Sequence, residues 1–345
     1  MPTGEINKNK YNIQDKGKTG GDRMKKVLVT GSAGFIGARV SEMLLEEDYQ
    51  VIGVDNLNDY YDVNLKLWRL EKLKKHSNFI FYKISVENYN ELKRIFRENC
   101  PEGVINLAAG VGVRYSLENP FTYLATNSRG NLNLLDLCRE FGVLKFVLAS
   151  TSSLYAGQEM PFKESLPVNT PISPYAASKK AAEMMAYTYR YLYGLDITIL
   201  RYFTVYGPAG RPDMAVFRFI KWIIDGMPLE IFGDGCQKRD FTYIDDIARG
   251  TIRALKPLGY EIINLGNNHP YKLSEAIKLM EKYIGEEARF KYKEFHKADM
   301  QTTWADIGKA RGLLDWQPQV SLEEGIKMTV EWTKNNWEWI QKIKI

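Results

Sequence analysis

The sequence predicts an α/β fold, a doubly wound parallel sheet of about seven strands with a smaller α/β ligand-binding lobe. Three observations predict it. The short apolar run Val27-Leu28-Val29-Thr30 leads directly into Gly31-Ser32-Ala33-Gly34-Phe35-Ile36-Gly37 and then into helical periodicity from Ala38 to Glu47. A second apolar run, Val51-Ile52-Gly53-Val54, ends in Asp55. Further strand-like runs then alternate with helical segments, the pattern of a parallel sheet covered on both faces.

Composition narrows the function classes. A chain of 345 residues is long for one core and points to one large or two intertwined domains. With 45% hydrophobic and 26% charged residues it reads as a globular protein, and no run approaches the ~18 apolar residues of a membrane span. The net charge of +5 comes from Lys and Arg spread along the chain, so no nucleic-acid partner is indicated. Cys100, Cys138 and Cys236 are far apart and odd in number, which reads as reduced thiols of a cytoplasmic protein. His76, His269 and His296 have no partner at ligand spacing, so no metal is expected and a histidine triad lacks material. Residues 1–23 read as a flexible tail without a signal-peptide segment, with ordered structure from near Met24.

Taken in order, the elements organise a site. In the first loop, Gly31, Gly34 and Gly37 permit a tight turn and let the backbone approach a pyrophosphate at the helix N-terminus. Asp55, at the end of the second strand, is placed to bind an adenosine ribose diol and to repel a 2'-phosphate. The next strands are Phe79 to Ile84, Val104 to Ala108 and Phe146 to Ser150. The second of these runs into Ala108-Ala109-Gly110-Val111-Gly112, small residues that suit either close cofactor approach or helix packing. The third ends in Thr151-Ser152-Ser153, hydroxyls at the carboxyl edge where open α/β sheets hold ligands. Ile197 to Phe203 and Glu261 to Leu265 complete the strands.

Between Thr151 and the sixth strand lies Ser173-Pro174-Tyr175-Ala176-Ala177-Ser178-Lys179. Ser173 as N-cap and Pro174 at the first position mark a helix start. Tyr175 and Lys179, four apart, share a face, and a nearby ammonium favours a phenolate able to move protons near neutral pH. The same spacing recurs at Tyr89-Asn90-Glu91-Leu92-Lys93, read as an ordinary helix face. The domain reading is 24–203 with 236–266 for the cofactor domain, and 204–235 with 267–345 for a substrate lobe. Trp332, Trp337 and Trp339 lie in an amphipathic stretch and read as core.

Together these residues resemble the extended short-chain dehydrogenase/reductases, in the branch of NAD-dependent nucleotide-sugar epimerases and dehydratases, which have a Rossmann fold. The signs are TGSAGFIG from Thr30, LAA at 107 to 109, the Tyr175/Lys179 pair, RYFTVYGP from Arg201, RDFTYIDD from Arg239 and WAD from Trp304. Segments 53–62, 112–120 and 203–214 are most similar to the UDP-glucuronate 4-epimerase subfamily. The resemblance implies tightly bound NAD+, a UDP-sugar, a transient 4-ketone and a homodimer joined through helices near 121–140 and 175–193. It implies Tyr175 as the base at the 4-hydroxyl, helped by Thr151, Ser152 and Ser153, with Lys179 on the nicotinamide ribose and lowering the Tyr175 pKa. Cofactor contacts are implied for Phe35, Ile36, Asn56, Ile84, Leu107, Ala108, Ala109, Asn127, Tyr202 and Val205, besides the glycines and Asp55. Thr204 and Arg211, with Arg114 as a second candidate, would hold a substrate carboxylate; Phe232, Arg239 and Asp299 would take the uracil, diphosphate and uridine ribose.

Ser152 and Ser153 stand where related 4,6-dehydratases carry Asp-Glu and related UDP-glucuronate decarboxylases carry Ser-Glu, so elimination of water lacks its proton carriers. Lys83, Asn106, Gly110 and Ala156 depart from the subfamily pattern. The alternatives are a UDP-glucose or UDP-N-acetylhexosamine 4-epimerase, a UDP-glucuronate decarboxylase, and, remotely, a non-catalytic NAD-binding protein. Arg211 could also serve only a structural salt bridge.

Overall fold

A computed structural model describes residues 25–294 and 299–345. The tail of residues 1–23, Met24 and His296 lie outside the described residues. The strands are β1 (Lys26–Thr30), β2 (Gln50–Asp55), β3 (Phe79–Lys83), β4 (Gly103–Asn106), β5 (Lys145–Thr151), β6 (Asp196–Tyr202), β7 (Thr204–Tyr206), β8 (Leu229–Phe232), β9 (Lys238–Arg239), β10 (Phe241–Tyr243), β11 (Tyr260–Leu265), β12 (Tyr271–Lys272) and β13 (Phe290–Lys293). The helices are α1 (Phe35–Glu46), α2 (Val63–Leu73), α3 (Tyr89–Asn99), α4 (Tyr115–Glu118), α5 (Pro120–Tyr123), α6 (Asn131–Phe141), α7 (Pro174–Tyr193), α8 (Ala215–Ile224), α9 (Ile244–Arg253), α10 (Leu273–Ile284), α11 (Gly308–Leu314), α12 (Leu322–Asn335) and α13 (Trp337–Ile340).

Seven strands form one sheet in the order β11-β6-β5-β4-β1-β2-β3, and every neighbouring pair runs parallel. Side chains alternate across each strand, so Val27 and Val29 enter one hydrophobic cluster and Leu28 the other. The first cluster is covered by α1 and α9, the second by α3, α6 and α7. Burial on both faces is why these strands read as unbroken apolar runs.

Predicted strand ends shift by one residue at β3, which ends at Lys83, and at β5, which ends at Thr151, and two further ends move for identifiable reasons. β4 stops at Asn106 because the Thr30 hydroxyl, at 3.1 Å, accepts from the amides of both Leu107 and Ala108, turning them out of the ladder. β6 stops at Tyr202, and Phe203 instead donates to the Leu265 carbonyl at 3.2 Å as the chain swings into β7. The helix start at Ser173 is as expected: its hydroxyl accepts from the Ala176 amide at 3.2 Å, and Pro174 occupies the first turn. The helix expected from Phe121 to Glu140 is α5 and α6 joined by a π-helical turn, Leu124–Gly130.

Beyond the sheet, β8 pairs with β13, β9 with β12 and β7 with β10, backed by α8, α10 and α12. Val216, Ile231, Ile277 and Ile326 of this lobe belong to the same buried cluster as Val27 of β1, so the lobe and the sheet share one core. Trp332, Trp337 and Trp339 are partly buried around Ile340 and Ile343, and Trp339 stacks on Trp68 at 5.4 Å. Among the described residues no helix is long and apolar enough to cross a membrane.

Candidate active site

The first part of the site is built from backbone. Gly31 has φ +67°, and a Cβ there would lie 2.9 Å from the Leu107 carbonyl and the Ala108 amide, so only glycine fits between the two strand ends. A Cβ on Gly37 would collide with the Gly31 carbonyl, which already accepts from Gly34 at 2.9 Å. Helix α1 begins at Gly34 with no side-chain cap and no acidic residue in its first turn. Its first amides therefore face outward without an anion of the chain's own, which suits a pyrophosphate. Asp55 is buried beside this loop, accepting from the Ala33 amide at 3.1 Å and the Leu57 amide at 2.8 Å. These residues fit a dinucleotide with a free ribose diol.

Other expected cofactor residues divide by where their side chains go. Leu107 and Ala108 form the wall opposite Gly31, with Ala109 following them in the chain, while Phe35 and Val205 line a small cavity shared with Thr204 and Arg211. Ile36 and Ile84 are partly buried against the two core clusters, and Asn56 is exposed with its carbonyl accepting from Asn58. Asn127 does not reach outward: its amide clasps both backbone groups of Gly110 and donates to Ser178 at 2.9 Å. Tyr202 is buried, its hydroxyl paired with Thr251 at 2.8 Å, so its side chain is not brought to the site. Asn106, the departure before Leu107, accepts from Thr30 and donates to Asn131, tying β1 and β4 to α6. Lys83 is the register partner of Asp55 at the sheet's carboxyl edge.

At that edge β5 delivers Thr151 to the start of α7. The Thr151 hydroxyl is close enough to the Tyr175 phenol to favour its ionised form, and it donates to the Ser153 hydroxyl at 3.1 Å. Ser152 is buried beside them. Burial raises the Tyr175 phenol, and Thr151 and the Arg211 cation pull it down. Tyr175 and Lys179 share a helix face, and the Lys179 ammonium donates to the Ala149 carbonyl of β5 at 2.9 Å. Burial pushes Lys179 down to about 8, with Glu183 one turn on pulling it up.

Glu183 anchors a buried network that no sequence motif announced. Its carboxylate accepts from Ser150 at 2.7 Å and, bidentately, from Arg201 at 2.9 and 2.8 Å. Arg201 also donates to Tyr155, whose hydroxyl donates to Asn264. The network ties α7 to β5, β6 and β11, directly under Tyr175 and Lys179. The signal was available in the spacing of Lys179 and Glu183, four apart on a helix.

The remaining side chains form two corners. In one, Arg211 pairs with Asp213 at 3.0 and 2.5 Å, and Tyr60 donates to the same carboxylate at 3.2 Å. In the other, Arg114 pairs with Asp299 and lies 3.6 Å over the Phe232 ring. Arg114 thus stands with the expected nucleotide residues Asp299 and Phe232, while Arg211 is paired with Asp213. Arg239, pushed down by burial, is in the field of Asp299 and Arg114. Arg218 of α8 was missed: its buried Nε has no partner, it feels Arg114, and it is a guanidinium in a largely apolar helix. Among the described residues no cluster of His, Cys, Asp or Glu is arranged to hold a metal ion.

Residues 28–329 match a family model described as GDP-mannose 4,6-dehydratase. A UDP-glucuronate 4-epimerase of Thermodesulfobacterium geofontis is 61% identical over 319 residues, 92% of this chain and 99% of that relative. The crystal structure of UDP-glucuronic acid 4-epimerase from Bacillus cereus, in complex with UDP-glucuronic acid and NAD, superposes with a TM-score of 0.85 at 37% identity, covering 90% of this chain and 99% of that one. UDP-glucose 4-epimerase of Thermotoga maritima, solved with UDP-glucose, matches with a TM-score of 0.83 at 36% identity, covering 90% and 99%. With the glycine edge, the Tyr175 helix and these likenesses in hand, the chain belongs to the GDP-mannose 4,6-dehydratase family, among its NAD-dependent nucleotide-sugar epimerases.

Proposed function

We propose that the protein is a UDP-glucuronate 4-epimerase, interconverting UDP-glucuronate and UDP-galacturonate with tightly bound NAD+. The observation that carries this reading is the Arg211 cation, lodged with Thr204 in one cavity and close enough for its field to reach the Tyr175 phenol. In a uronate the carboxylate is on C5, next to the hydroxyl-bearing C4. A cation beside the group that handles the 4-hydroxyl is where that carboxylate needs a partner, and an arginine fork suits it. The 61% relative supports the same substrate.

NAD+ bound on the glycine edge supplies reversible hydride acceptance from C4. The residues of the chain do the rest. Tyr175 takes the 4-hydroxyl proton and later returns it, with Thr151 sharing the hydrogen bond and Ser152 and Ser153 beside it. Lys179, held by the Ala149 carbonyl, is placed for the ribose next to the reacting ring. Gly31, Gly34, Gly37, Phe35 and the 107–109 wall hold the pyrophosphate edge, and Asp55 the adenosine ribose. Phe232 suits uracil, Asp299 the uridine ribose, and Arg239 with Arg218 the diphosphate. Ser152 and Ser153 offer no carboxyl group to move protons for dehydration, despite the family model's name.

The division into a cofactor domain (24–203, 236–266) and a nucleotide-sugar lobe (204–235, 267–345) fits this reading, the cleft between them receiving the sugar. A homodimer is supported by the apolar face that α5, the π-turn and α7 leave uncovered: Phe121, Leu124, Met184, Met185, Tyr187 and Tyr191 are exposed. Three free cysteines support a cytoplasmic location. A UDP-hexose 4-epimerase is the second reading, favoured by one observation: Asp213 already neutralises Arg211. Incubating the protein with UDP-glucuronate or UDP-glucose and following each sugar by NMR separates them. UDP-galacturonate is expected from the first; turnover of UDP-glucose alone, or UDP-xylose as the main product, would overturn it.

A further inference from the structure

We infer that Asp213 and Tyr60 are positioning residues that set the product of the reaction, by fixing the Arg211 guanidinium so that a bound uronate keeps its carboxylate. This rests on the uronate reading above. Arg211 has five N–H donors on a planar fork. Asp213 takes two of them side-on, through Nε and Nη2. The Nη1 edge is left for a second carboxylate, so the guanidinium can serve Asp213 and a substrate together. Tyr60 in turn holds Asp213 through its hydroxyl, and its own place is set by Tyr115, whose ring lies 5.1 Å away edge-on, and by Gly112. Gly112 has φ +95°, and any Cβ there would collide with the Tyr60 hydroxyl. Three loops, 56–62, 110–115 and 209–214, therefore converge to hold one guanidinium in one orientation.

Orientation matters because of what a 4-keto uronate does. It is a β-keto acid, and it loses CO2 when the C5–carboxylate bond lies parallel to the π-orbitals of the C4 carbonyl. The bond then breaks, its electron pair becomes the C4–C5 enolate, CO2 leaves, and a proton from water at C5 restores the ketone. Hydride return to C4 from the reduced nicotinamide then gives a UDP-pentose. A guanidinium fixed on its far side can hold the carboxylate away from that alignment; one free to rotate follows the carboxylate instead.

The test is the product partition of Asp213→Asn and Tyr60→Phe with UDP-glucuronate, by NMR of the sugars and by released CO2. The wild type is assayed first; if it does not epimerise UDP-glucuronate, the functional reading fails and not this one. Asn keeps the side chain's shape but removes the charge-assisted bonds, so the UDP-pentose share should rise about tenfold and KM about tenfold, with kcat changed less. Tyr60→Phe removes one hydrogen bond and should move the share in the same direction by about two- to threefold. Slower epimerisation with an unchanged pentose share in both variants would overturn the inference, leaving Asp213 a merely structural partner. Folded variants that neither epimerise nor decarboxylate would also overturn it, because Tyr175 and Thr151 are left intact. If Asp213→Asn does not fold, as read by thermal melting, Tyr60→Phe alone decides.

Discussion

The chain contains the Tyr-x-x-x-Lys spacing twice, and the two copies differ in everything but the spacing. Tyr89 and Lys93 lie on α3 facing α6, where the phenol donates to Asp136 at 2.8 Å and the ammonium pairs with Glu140 at 2.6 Å. Partial burial and these two carboxylates push Tyr89 up to about 12, which holds it protonated. Tyr175 is also raised by burial, but its other partners, the Thr151 hydroxyl and the Arg211 cation, both favour the phenolate. The lesson is that spacing puts two side chains on one helix face, whereas the charges from other elements decide whether the phenol is a donor or a base.

That contrast can be broken at several points. Tyr175→Phe should lower kcat by about 10²- to 10⁴-fold, the range for a positioned proton carrier, with folding unchanged in thermal melts. Glu183→Ala leaves the buried Arg201 without its partner and should cost about 3–5 kcal/mol in denaturant unfolding, because an unpaired buried charge remains. Arg211→Ala should lower kcat/KM for UDP-glucuronate by about 10- to 100-fold more than for UDP-glucose, as expected for lost charge-assisted bonds to a carboxylate on top of a shared effect on Tyr175. A subtler effect concerns pH. Lys179 is held down to about 8, so its ammonium is present below that pH and lost above it. Glu183 pulls this value up, so Glu183→Gln should move the alkaline limb of the kcat/KM profile to lower pH; an unmoved limb would separate Lys179 from the rate. Tyr89→Phe should change stability by no more than about 1 kcal/mol and leave the rate untouched.

The parts of the molecule legible in the sequence are those that depend on backbone. The apolar runs, the Gly31 loop, Asp55 at a strand end and the Ser173 cap each carry a local reason for their geometry, and all stand where the spacing put them. What could not be read is how side chains from distant loops share a partner. Tyr202 lies on the right strand but turns to Thr251; Asn127 is at the right depth but is consumed by Gly110 and Ser178. Arg114 stood as the second candidate to Arg211 for holding a carboxylate, and each is already committed to a different aspartate, Asp299 and Asp213. Glu183 and Arg201 are 18 residues apart in sequence and meet only because β6 lies beside β5 under α7. The Lys179 ammonium, aimed at the phenol by spacing alone, is claimed by a carbonyl of the neighbouring strand.

The central claim is that the hydrogen on C4 leaves as hydride and returns within the same site while Tyr175 handles the hydroxyl proton. Supplying UDP-glucuronate that carries deuterium at C4, in ordinary water, tests this most directly. Hydride return within the site gives UDP-galacturonate with the deuterium still on C4; product in which solvent hydrogen has replaced it would contradict that route.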